Sequence, residues 1–73
     1  MDLMYCERET LKPMDDFGLP GTRLSFRRRP EGLLATVVHY PGRMWRVFWV
    51  GGAIGDYKSE TAAIQAVEQK FGI

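Results

Sequence analysis

The chain is poor in the residues that do chemistry. Cys6 is its only cysteine and His39 its only histidine in 73 residues. One cysteine excludes an intramolecular disulfide, and one Cys with one His leaves no Cys/His set for a structural zinc. His39 has no neighbouring acid or nucleophile to suggest a proton relay, and Glu7 beside Cys6 disfavours a thiolate. Asp15-Asp16 lacks the further oxygen ligands of an EF-hand spacing. The glycine-rich string from Gly51 to Ser59 fails as a phosphate loop, because Tyr57 stands before Lys58 where that loop needs glycine. No stretch approaches the roughly 18 apolar residues of a membrane span, and the first residues lack the basic start and apolar run of a secretory signal. These absences lead us to expect a non-enzymatic protein with no metal, no cofactor and no membrane contact, in a reducing, cytoplasmic setting.

What is present suits one small folded domain. The hydrophobic fraction is 45% and the charged fraction 26%, ordinary values for a globular chain. A chain this short buries only about 60% of its unfolded surface, so each large apolar residue matters to the core. The net charge of +1 conceals a segregation. Residues 1–16 hold five acids and two bases, whereas residues 17–58 hold seven bases and two acids. Basic charge gathered on one segment is the pattern expected of a surface that meets a polyanion.

Residues 1–21 show neither a 2.0 nor a 3.6 repeat of apolar positions, and Gly18-Leu-Pro-Gly21 is a turn cluster. An N-terminal arm over 1–21 is therefore expected, with a short strand or a turn of helix at most, either folded back onto the basic sheet or mobile, followed by a domain over 22–73. From Thr22 to Arg29 apolar and polar residues alternate, Leu33–Tyr40 is rich in β-branched residues, and Arg43–Val50 is rich in aromatic and β-branched ones. Arg29-Pro-Glu-Gly32 and Tyr40-Pro-Gly-Arg43 read as the connecting turns. Ser59 is a good N-cap, Gly72 a good stop, and Ala63, Ile64, Val67 and Phe71 make one apolar stripe of a helix. The expected fold is α+β, a three-stranded antiparallel sheet packed on one C-terminal helix in the order β-β-β-α.

If each turn has two central residues, Arg29 faces Gly32 and Tyr40 faces Arg43. Leu24, Phe26, Leu33, Ala35, Val37, Met44, Phe48 and Val50 then share a core face. The other face gathers Arg23, Arg27, Arg29, Tyr40, Arg43, Trp45 and Trp49, and these are the candidate binding residues. Arginine presents a planar fork suited to phosphates and guanine edges, and the aromatic rings offer flat contact surfaces.

The run RRRPEG at 27–32, the following LLAT and the closing DYKSETAAIQAV at 56–67 resemble the ethylene-response-factor type of DNA-binding domain. The arm-binding domains of phage integrases carry a related sheet. The resemblance implies a three-stranded sheet in the DNA major groove, with Arg27 and Arg29 as contacting arginines and Trp45 in an analogous aromatic role. The function expected first is thus a small module that binds duplex DNA through the basic and aromatic face of its sheet. A second reading is a protein-protein interaction module, such as a small phage- or mobile-element-type inhibitor or adaptor of a host protein. A third is a homodimer that buries Val38, Tyr40, Trp45 and Trp49 between copies.

Overall fold

The structure, a computed structural model, describes residues 4–72. Met1, Asp2 and Leu3, counted above in the N-terminal pattern, lie outside the described residues, as does Ile73. Five strands run as an antiparallel meander before the helix: β1 (Met4–Leu11), β2 (Gly21–Arg28), β3 (Gly32–His39), β4 (Trp45–Trp49), β5 (Gly52–Tyr57) and α1 (Glu60–Phe71). Each strand pairs with its sequence neighbours, so the spatial order is β1-β2-β3-β4-β5.

The expectation of a three-stranded sheet with an N-terminal arm is corrected at both edges. Eight residues of the expected arm form β1, paired without interruption from Met4 opposite Arg28 to Leu11 opposite Gly21. It shows no hydropathy alternation because it is an edge strand with six of its eight residues exposed, so neither of its faces is a core face. Gly52–Tyr57, in the glycine-rich string that lies outside the three expected strands, is β5, which closes the other edge against β4.

The helix forms where its caps place it. Ser59 is extended, its Oγ accepts from the Ala62 N–H at 3.1 Å, and Gly72 is left-handed at φ 75° with its N–H donating to the Glu68 carbonyl. Ala63 and Val67 are buried, with Ile64 and Phe71 packed beside them. The helix lies over β3, β4 and β5, and beneath it Leu24, Phe26, Ala35, Val37 and Val47 complete the core. Fully burying a side chain of the size of Phe26 or Leu24 stabilises the fold by about 1.5–3 kcal/mol. Among the described residues no helix is long and apolar enough to cross a membrane.

Register decides which side chains meet the helix. Past a bulge at Leu34, Phe26 faces Ala35 and Leu24 faces Val37, so the core residues expected on β2 and β3 from Leu24 to Val37 are in place. Leu33 is the exception, since it lies before the bulge, opposite Arg27, on the far side of the sheet. At the next hairpin Val37 faces Val47 and Val38 faces Arg46, one residue away from the pairing that a two-residue turn gives.

The cause is Pro41. Two-residue hairpins use turns with positive φ at the first central position, which proline, locked near −65°, cannot adopt. The Arg43 N–H donates to the Tyr40 carbonyl at 3.0 Å and Gly42 has φ 83°, the pattern of a type II turn with proline first and glycine second. Such a turn splays the strands, and Met44 enters as an extra residue before pairing resumes. The faces of β4 are thereby exchanged: Trp45, Val47 and Trp49 point to the helix, and Arg46 and Phe48 point away.

Candidate functional site

With the helix on one side, the other side of the sheet is open, and its charged side chains are arranged in rungs. Glu9 and Arg23 are directly opposite on β1 and β2, and Arg23 Nε donates to Glu9 Oε1 at 2.8 Å. Arg27 Nε lies 2.5 Å from Glu7 Oε1 across the diagonal, although that nitrogen makes no aligned hydrogen bond. On the far flank Arg46 and Asp56 are directly opposite, with Nε donating to Oδ1 at 3.2 Å. Each pair is largely exposed, so each stabilises the fold by only about 0.2–1 kcal/mol. Their larger effect is to neutralise the arginines locally.

Between these rungs runs an apolar strip. Leu33, 52% exposed, lies beside Arg27, and Phe48, 36% exposed, lies beside Thr36. Val38 continues the strip towards Met44, which is exposed. In the loop from Lys12 to Pro20, Asp15 Oδ1 accepts from the Phe17 N–H at 2.9 Å, and Phe17 itself is 99% exposed.

The seven expected binding residues do not share one face. Arg23 and Arg27 are on the open face, both engaged with glutamates of β1. Arg29 is exposed in the β2–β3 turn at one end of the sheet, while Tyr40 and Arg43 belong to the β3–β4 turn at the other. Trp45 and Trp49 are on the helix side. Trp45 stacks on His39 with ring centroids 3.9 Å apart and planes within 5°. Trp49 meets Phe71 edge-on at 6.1 Å and carries Lys70 Nζ 4.4 Å above its ring. Both tryptophans are half-buried and packed against the core, where they tie β4 to the helix end and to β3. Arg28 is also on the helix side, its Nη1 donating to the Phe71 carbonyl at 3.2 Å.

Leu33, Met44, Phe48 and Val50, expected on the core face, are exposed instead, and Lys58, counted among the basic residues, was not among the expected binding residues. The signal that would have found Phe48 is Pro41, whose fixed φ rules out the tight turn.

At the β3–β4 end the open face sinks into a hollow of about 700 Å³ bordered by Met14, Val38, Tyr40, Met44, Arg43 and Lys58. Tyr40 forms a fixed wall of it. Its ring lies where a Cβ on Gly21 would sit 2.6 Å away, and its hydroxyl donates to the Lys12 carbonyl at 3.3 Å. Glycine at 21 is what lets the ring approach, and the hydrogen bond joins the 12–20 loop to the turn.

Cys6 lies on β1 opposite Phe26. Partial burial pushes its thiol up, Arg8 pulls it down, and Glu60 and Glu7 push it up further. Among the described residues no group of three or more His, Cys, Asp or Glu side chains is placed to hold a metal ion. No protein-family model, curated protein or solved structure matches the chain.

Proposed function

We propose that the protein is a small interaction module that docks a partner protein on the open face of its sheet. The observation that carries this reading is the exposed Leu33–Phe48 strip at the centre of a face rimmed by ion pairs of both signs. An apolar centre with a polar rim is the anatomy of a protein-protein interface, and exposed apolar patches on small soluble proteins mark interaction sites. Duplex DNA is the other partner class that the arginines would suit. We favour protein because Arg23, Arg27 and Arg46 already face carboxylates, and because Trp45 and Trp49 serve the helix side. A polyanion needs cations that are free to release its counterions.

The test is site-specific photo-crosslinking in cells of the source organism, with the reactive group at Phe48 or, as control, at Gln69 on the outer helix surface. A protein captured from position 48 alone, which then binds the purified wild type and not Phe48→Glu, supports the reading. Capture that is equal from both positions overturns it. So does binding of a random duplex that falls steeply as salt rises and is lost in Arg23→Ala/Arg27→Ala, which would return the face to nucleic acid.

A further inference from the structure

The hollow at the β3–β4 end differs from the rest of the open face in its charge. Along the sheet each arginine of that face meets a carboxylate, but at this end Arg43 and Lys58 make no ion pair among the described residues, and Asp56, the acid bordering the hollow, is engaged by Arg46. Beside these cations are Val38, Met14 and Met44, and the Tyr40 wall is held by its seat over Gly21 and its hydrogen bond to Lys12. Two uncompensated cations next to an apolar floor match a carboxylate carried close to an aliphatic or aromatic group. A bare phosphate would satisfy the cations and leave the floor unused.

We propose that this hollow receives an acidic segment of a partner protein, an aspartate or glutamate paired by Arg43 and Lys58 with an adjacent apolar side chain seated on Met14, Val38 and Met44. Resting on the interaction reading above, the proposal specifies the partner's chemistry at one end of the docking face. Methionines make an adaptable floor, so the apolar neighbour need not have one fixed shape. Arginine adds a planar fork for the carboxylate, and lysine a point charge.

The experiment is an amide-resolved NMR titration of the full chain with the peptide acetyl-Gly-Phe-Asp-Asp-Leu-Gly-amide, run beside its Asn-Asn counterpart, inorganic phosphate and a short random DNA duplex. Saturating shifts confined to Tyr40–Met44, Lys58 and the Met14 loop are expected. The affinity should fall at least tenfold for the Asn-Asn peptide and for Arg43→Ser/Lys58→Ser, whose circular dichroism and melting should match wild type. Absence of shifts at millimolar acidic peptide overturns the proposal, as do equal shifts with the Asn-Asn peptide. Phosphate or duplex acting as strongly as the acidic peptide also overturns it, because charge alone would then suffice. The partner captured through position 48 separates the two readings. Its retention by Arg43→Ser/Lys58→Ser and loss by Phe48→Glu overturns the hollow alone, whereas retention by both variants overturns the docking face.

Discussion

Leu24 and Arg23 are neighbours on β2, yet one is sealed among Phe26, Val37 and Val47 while the other lies in solvent beside Glu9. The same contrast runs through β2, β3 and β4, which send alternate side chains to the core beneath the helix and to a face that no described element covers. On the helix side the apolar residues interlock and the polar ones are few. On the open side, cross-strand charge pairs hold the flanks and Leu33 and Phe48 occupy the middle. With one helix among the described residues, the core forms on one side of the sheet. The other side contributes little to stability and is correspondingly free to serve recognition.

The comparison breaks most visibly if the two faces prove equally costly to alter. Phe26→Ala, in the core at 3% exposure, should destabilise by about 3–5 kcal/mol, a large share of a small domain's stability. Phe48→Ala, at 36% exposure, should destabilise less, by about 1–2 kcal/mol, and urea denaturation of the two variants side by side decides the matter. Trp49→Ala, which removes a half-buried ring from Phe71 and Lys70, should fall between these at about 2–3 kcal/mol, with α1 loosened at its C-terminal end as read by amide exchange. Ser59→Ala should cost about 1 kcal/mol by leaving the Ala62 N–H without its cap, a loss Ser59→Asp should largely restore.

On the open face the effects are smaller. A double-mutant cycle on Glu9 and Arg23 should give a coupling of about 0.2–1 kcal/mol that fades at about 1 M salt. A coupling well above that range would mean the rungs are structural rather than a solvated rim. The smallest effect concerns Cys6. With its pKa raised, less thiolate is present at a given pH, so iodoacetamide should label it more slowly than an unhindered thiol near neutrality. Arg8→Ala removes the one group that lowers that pKa and should slow labelling further.

Much of the helix side was legible from the residues in order. Alternation placed Leu24, Phe26, Ala35 and Val37 together, and local capping chemistry placed α1 between Ser59 and Gly72. β1 was not legible, because an edge strand exposed on both faces has no hydropathy period. Its glutamates declare themselves only against Arg23 and Arg27, at least fourteen residues further on. β5 was hidden by the glycines within it and before it, which favour coil locally but let Trp49 lie over Gly51 and Tyr57 over Gly55 within the hairpin. Of the expected binding residues, Arg23 and Arg27 lie on the open face, whereas Trp45 and Trp49 lie on the helix side because of the offset at the Pro41 turn.

The sequence by itself determined the helix with both its caps, the middle strands, and the core alternation of β2 and β3, because each of these depends on residues within a few positions of one another. Tertiary structure alone decided that the acidic N-terminal segment joins the sheet and pairs with its arginines. Which half of Trp45–Trp49 meets the helix follows from one extra residue after Pro41, a local turn effect that the proline itself signals. The physical reason is the period of two: a strand offset by a single residue keeps its composition and exchanges its faces.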